Sequence, residues 1–283
     1  MDLMEELLGK SDEKGKEETK IIEKVDKEDK NELLDDEFDF TEDDGSGKEV
    51  YLVYGKKGEG KTYTALSFPG KIAVLSFDRK SGKIKNLLGL DNVKVWNGIK
   101  YMDFSSPEAE LKSAEKNWRY LNKLLDKVIR NWEPDWIVID GSEILSHLCE
   151  LVMRYRNGIM PFQGIKNLNL WKERKQYIRQ IHYLSLDIAK RGIIYTAYSE
   201  KDEIIEDGEV VSRKDVPKWL DVILYETDVV LKTYTKIVND TIRFYLLVES
   251  SKIPEIKSGI TLDITNTLPY EKIRGDFNGK GCL

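Results

Sequence analysis

The sequence predicts an α/β protein whose mostly parallel sheet is flanked by helices and extended at its C-terminal end by an antiparallel hairpin. Three observations carry this. An apolar strand at 49–54 runs straight into a glycine-rich loop and then a helix. Further apolar runs at 72–77, 136–140 and 192–198 alternate with segments of helical periodicity, the pattern of a parallel sheet covered on both faces. Two β-rich segments, 228–237 and 241–249, flank Val238-Asn239-Asp240, a short hairpin turn.

The fold is predicted to begin after an acidic arm. Residues 1–47 hold 19 Asp/Glu and 7 Lys, a net of -12, whereas residues 48–283 hold 38 bases and 32 acids, a net of +6. Dense charge with little apolar content cannot offset the entropy of ordering, so 1–47 reads as a largely disordered arm and 48–283 as the folded domain. Gly45-Ser46-Gly47 reads as the hinge. The arm's apolar islands, Leu3–Leu8 and Leu33–Phe40, leave three readings open. They are a solubilising tail, a peptide that docks on a protein partner, and an intramolecular mimic of nucleic acid.

Composition excludes several classes. The chain has no apolar run of eighteen residues, so no transmembrane helix is expected, and its N-terminus lacks a secretory pattern. Two cysteines and two histidines make neither a disulfide framework nor a metal cluster. A reducing cytoplasmic setting is expected, that of the host if the protein is viral.

The first element, Glu49–Tyr54, is a strand followed by Gly55-Lys56-Lys57-Gly58-Glu59-Gly60-Lys61-Thr62, which meets G-x-x-x-x-G-K-[ST] at every fixed position. Tyr63 then lies in the following helix. Glycines let backbone N–H groups converge on phosphates, and the helix N-terminus adds its dipole. Lys61 is expected to reach the β- and γ-phosphates of ATP, and the Thr62 hydroxyl to ligate Mg²⁺.

The strand 72–77 leads to Asp78, and Val93–Trp96 reads as a short strand. Ser105-Ser106-Pro107 starts a long helix with Leu111, Ala114, Trp118, Leu121, Leu125 and Val128 inward. Trp136-Ile137-Val138-Ile139-Asp140 is an apolar strand ending in a carboxylate, at the sheet edge where ligands bind in open α/β sheets. Asp140 reads as the aspartate that contacts Mg²⁺ through water. A capping role for the next helix is the structural alternative. Asp78 and Glu143 are two candidates for the group that activates water. Helices follow at 142–154 and 168–190, then the strand 192–198, whose end offers Thr196, Tyr198 and Ser199 as γ-phosphate sensors. Residues 259–265 add a last strand after the hairpin.

These residues resemble the RecA-like P-loop ATPases, most closely the small RecA-like ATPases of phages and archaeal viruses, some of which anneal or recombine single strands. The resemblance covers roughly 49–265. It rests on the loop 55–62, Ser67-Phe68-Pro69-Gly70, the strand 137–140, Ile193–Ala197 and Thr227-Asp228-Val229-Val230. It departs in having Asp78-Arg79-Lys80 where an Asp-Thr-Glu-like triplet is usual, and Tyr198 near the usual His or Gln switch. The resemblance implies an oligomer in which a neighbour donates a base, with Arg213, Lys214, Lys218, Lys252 and Lys257 as donors to choose among. It also implies two loops facing single-stranded DNA. The first, 154–166, offers Arg154, Arg156, Phe162 and Lys166, mixing cations with rings. The second, 200–218, offers Arg213 and Lys214 beyond an Asp207-Gly208 turn.

Overall fold

The computed structural model describes residues 47–206, 209–218 and 221–275; the acidic arm up to Ser46 and the Asp207-Gly208 turn lie outside the described residues. In chain order the elements are β1 (Glu49–Gly55), α1 (Lys61–Leu66), β2 (Ile72–Ser76), α2 (Ser81–Leu88), β3 (Val93–Asn97), α3 (Pro107–Lys123), β4 (Trp136–Asp140), α4 (Ser142–Arg156), α5 (Leu170–Ile188), β5 (Gly192–Glu206), β6 (Glu209–Pro217), α6 (Asp221–Leu224), β7 (Val229–Val238), β8 (Thr241–Ser251), β9 (Thr261–Asp263) and α7 (Pro269–Gly275).

The sheet runs β3-β2-β4-β5-β1-β7-β8-β9, with β6 paired to the outer half of β5. Strands β3, β2, β4, β5, β1 and β7 are mutually parallel, and β8 and β9 add antiparallel pairings. Both faces are covered, which is why β2 and β4 are apolar without alternation. Val50, Leu52, Ile137 and Ile139 point into a core closed by α3, α4 and α5. Tyr51, Val53, Trp136 and Val138 point into the opposite core, with Phe68, Leu246 and Ile273. Gly192 is required where β5 starts beside β1. A Cβ there would stand 1.9 Å from the Glu49 carbonyl oxygen, and its φ of 148° lies where L side chains are rarely found.

The predicted cap of α3 is present: the Ser106 hydroxyl accepts from the Ala109 amide at 3.1 Å, with Pro107 in the first turn. The predicted inward face then fails at its last member. Residues Leu124–Ile129 form a π-helical turn before the helix resumes at Arg130–Trp132. The wider turn shifts the phase by about one residue. Val128 is therefore 48% exposed and Ile129 takes the core position.

Strand 192–198 extends to Glu206, because β6 gives its second half a partner. The hairpin 229–251 turns through Asn239 and Asp240, both at positive φ (51° and 58°), as a two-residue turn of the primed kind needs. Helices α2, α6 and α7 are short, at eight, four and seven residues, and are not expected from the sequence. Among the described residues no helix is long and apolar enough to cross a membrane.

Candidate active site

The glycine-rich loop, the C-terminal ends of β2 and β4, the middle of β5, and the starts of α1 and α2 meet at one cavity. Lys61, Thr62, Asp78, Asp140, Glu143 and Tyr198 all line it. Parallel register explains the meeting. Ser76 pairs with Asp140 and Asp140 with Thr196, so β2 and β4 deliver their last residues, and β5 its fifth, to one level of the sheet.

In the loop, Gly58 and Gly60 adopt φ of 83° and 88°, values that turn the backbone inward ahead of α1. Gly55 leaves room for β7, since a Cβ there would lie 2.4 Å from the Thr233 hydroxyl. The loop is fastened by Glu59, whose carboxylate accepts from the Lys56 amide. The Lys61 ammonium donates to the carbonyls of Gly55 (3.0 Å) and Lys56 (2.7 Å) and lies 4.2 Å from the centre of the Tyr198 ring. Burial lowers its pKa, opposed by Glu143, Glu59, Asp140 and Asp78.

Asp140 is buried and, among the described residues, is held by three hydroxyls. Ser81 donates to it at 2.6 Å, Thr196 at 2.5 Å and Thr62 at 3.1 Å. Burial and then the nearby Asp78 raise its pKa, against those three donors. Gly141, at φ 91°, turns the chain so that its amide donates to the Thr196 hydroxyl at 3.1 Å. Among the described residues no Lys or Arg pairs with Asp140. A buried carboxylate facing a threonine hydroxyl and lacking a cation fits a divalent ion.

The two candidates for activating water differ in their surroundings. Asp78 is occupied: it accepts from the Lys80 amide at 2.9 Å and the Ser76 hydroxyl at 3.4 Å. Both carboxylate oxygens of Glu143 are buried without a hydrogen-bond partner. Burial raises its pKa, opposed by the nearby amides of Glu143 and Tyr198 and by Lys61. Sequence reasoning missed Ser81, which bridges Asp140 and Ser76 (2.7 Å). The available signal was a serine opening a short helix just after a strand-ending Asp.

The cavity continues past Gly60 and Tyr63 into an apolar slot walled by Ile242, Phe244 and Ile264, with Asn266 at its rim. Lys56 and Glu59 face a different depression beside Lys232 and Tyr234, while Lys57 borders the main cavity.

The residues expected to face nucleic acid divide. Arg154 is buried, a correction to its reading as a strand contact. Its guanidinium donates to Glu150 (2.8 Å) and to the carbonyls of Met160 (3.1 Å) and Gln163 (2.8 Å). It holds the loop after α4 from inside. Arg156 is likewise engaged, with Glu115 at 2.9 Å and the Tyr177 hydroxyl at 3.0 Å. Phe162, 75% exposed, and Lys166 stand open on that loop. On β6, Arg213 pairs across the ribbon with Glu203 at 2.8 Å, and Lys214 is exposed. Arg154→Ala should therefore act on stability, since it strands Glu150 and two carbonyls. A loss of about 3 kcal/mol is expected, read as a lower denaturant midpoint.

The AAA domain family model matches residues 48–254. A search of curated proteins finds no match. Among solved structures, the chain is similar to a KaiC-like protein from the hyperthermophilic archaeon Pyrococcus horikoshii OT3. That match has 11% identity and a TM-score of 0.46, covering 78% of this chain and 87% of that one. It is also similar to the flagellar accessory protein FlaH from Methanocaldococcus jannaschii, at 12% identity and TM-score 0.37, covering 76% and 84%. With a matched family model that spans the phosphate-binding loop and the strands beside it, the chain belongs to the AAA domain family and is a P-loop ATPase.

Proposed function

We propose that the protein hydrolyses Mg-ATP in order to act on nucleic acid, by binding, annealing or recombining single-stranded DNA. The observation that carries the hydrolytic part is Glu143. It is a buried carboxylate with no side-chain hydrogen-bond partner, on the same cavity as Lys61, three residues beyond Asp140. Its basic form can take a proton from water as that water attacks the γ-phosphorus. Lys61, released from its two loop carbonyls, neutralises charge on the phosphates. Thr62 and Asp140 would hold Mg²⁺, which supplies charge neutralisation at the β- and γ-phosphate oxygens. Tyr63, Ile242 and Phe244 offer the apolar slot for the adenine ring, next to the phosphate loop. Tyr198, against Lys61, is placed to respond when the γ-phosphate draws that lysine away.

The nucleic-acid part is supported by the exposed Phe162 and Lys166 on the loop after α4, and by the resemblance to phage and archaeal-virus annealing proteins. Self-assembly, with a neighbour's base completing the site, belongs to the same reading. ATP turnover measured with and without single-stranded DNA, duplex DNA and RNA tests it. Stimulation by single strands of several-fold is expected. Turnover indifferent to every nucleic acid would refute the nucleic-acid part, and would favour a nucleotide-gated switch on a protein partner docked through the acidic arm.

A further inference from the structure

A second cleft opens between the segment after β3, the exposed face of α3 and the end of α4. Tyr101, Lys112, Lys116, Arg119 and Tyr155 border it. Two of its rings are half open: Tyr101 is 37% exposed and Tyr155 42%. Tyr101 is set upright by an edge contact with Tyr120, centroids 5.1 Å apart. Cations lie over Tyr101 and over its neighbour Tyr120. The Lys116 ammonium lies 4.7 Å from the centre of Tyr101, and that of Lys100 lies 5.6 Å from Tyr101 and 5.8 Å from Tyr120.

The charge of the cleft is positive for a structural reason. Its two acids are Glu115 and Asp103. Glu115, at the floor, accepts from Arg119 and from Arg156, each at 2.9 Å. Burial acts to raise its pKa, yet the two guanidinium groups hold it below the usual carboxylate range. Asp103 accepts from the Ser105 amide at 3.0 Å. Lys112 and Lys116 have no carboxylate partner among the described residues and point their charge at solvent.

Half-exposed aromatic rings beside ammonium groups that have no carboxylate partner among the described residues match a ligand that alternates flat rings with anions. A single strand of nucleic acid does so, and every base has a face to stack. A duplex hides those faces, leaving only phosphates for the lysines. One hydrogen bond runs from the nucleotide side toward the cleft: Arg79, next to Asp78, donates to the Ile99 carbonyl at 3.3 Å, two residues before Tyr101.

We propose that this cleft is a binding site for single-stranded nucleic acid, with Tyr101 and Tyr155 stacking on bases and Lys112 and Lys116 contacting phosphates. The proposal rests on the nucleic-acid reading above and places its main contact outside the two loops expected from the sequence.

The test is fluorescence anisotropy of a fluorescein-labelled single strand with the full chain, at several KCl concentrations and with unlabelled duplex as competitor. Tyr101→Ala and Tyr155→Ala should each weaken binding by about fivefold or more, and Tyr101→Phe and Tyr155→Phe should retain it. The double variant Lys112→Gln with Lys116→Gln should lower the slope of log affinity against log salt by about 1.4, at about 0.7 per phosphate contact on a single strand. All four positions are exposed, and unchanged ATP affinity verifies the fold. If the native chain binds single strands and both alanine variants bind as tightly, the cleft assignment is wrong while the nucleic-acid reading stands. Loss with the lysines but not the tyrosines, or equal competition by duplex, overturns it in favour of a general polyanion surface. No binding by the native chain overturns both readings together.

Discussion

Replacing Lys61 by alanine is expected to lower ATP turnover by about 10²–10³-fold, the usual cost of deleting one preorganised donor to developing charge. ATP affinity should fall with it, because the same ammonium serves ground state and transition state. The structure separates this effect from misfolding. Lys61 contributes two hydrogen bonds to loop carbonyls and one ring contact, while its burial disfavours its own charge. The variant should therefore melt within about 2 °C of the native chain, the low end of the shift that 1 kcal/mol produces in a domain of this size. Equilibrium binding of a fluorescent ATP analogue, with a melting curve on the same sample, checks both halves. Retained nucleotide affinity would overturn the assignment of the phosphate loop.

Glu143→Gln should lower turnover by about 10²–10⁴-fold, the range of general base catalysis, and leave ATP bound. Single-turnover measurement with prebound ATP distinguishes this from Lys61→Ala. If Asp78 were the base instead, Asp78→Asn would stop turnover and Glu143→Gln would not. A second readout follows from electrostatics. Burial raises the Glu143 pKa above its unfolded value, so its favourable contribution to folding exists at low pH and is lost as pH rises through the folded pKa. Above that pH the native chain carries a buried carboxylate with no side-chain hydrogen bond. Glutamine removes the charge, and relieving this burial is worth about 1 kcal/mol, or about 2–4 °C in Tm. The gain should vanish as pH falls through the raised pKa. The turnover of the native chain should decline over that same interval, because the base works in its charged form.

The phosphate-binding edge was legible in the sequence because its parts are short, local patterns. A strand, two inward-turning glycines and Lys61-Thr62 sit within fourteen residues, and Asp140 ends a run that only a buried strand explains. The parallel strands and the C-terminal hairpin were legible for the same reason. What was hidden depends on reach through space. Arg154 looks like a free cation in a flexible loop, yet Glu150 one turn earlier and two carbonyls up to nine residues later enclose it. Glu115, unremarkable on α3, collects two arginines from different helices and so sets the sign of a cleft. The π-helical turn was invisible because Leu124–Ile129 has ordinary helical composition, and its effect shows only as a phase error at Val128. The choice between Asp78 and Glu143 could not be made from identity. It rests on which carboxylate the fold buries without a side-chain donor.

One feature of the fold acts at a distance from the phosphates. Strand β5 is continuous from Gly192 to Glu206. Its first half is clamped between β1 and β4, and its second half is paired to β6 from Ser199 onward. Tyr198 lies at the junction, and its carbonyl accepts from the Lys218 amide at 2.8 Å where β6 returns. At about 3.3 Å per residue, the Glu206 end of the ribbon lies about 26 Å from Tyr198. A tilt of about 10° at the junction would sweep that end through about 4–5 Å. A tilt at Tyr198, the residue touching Lys61, would thus carry the far end of the ribbon through a distance comparable to the spacing between strands.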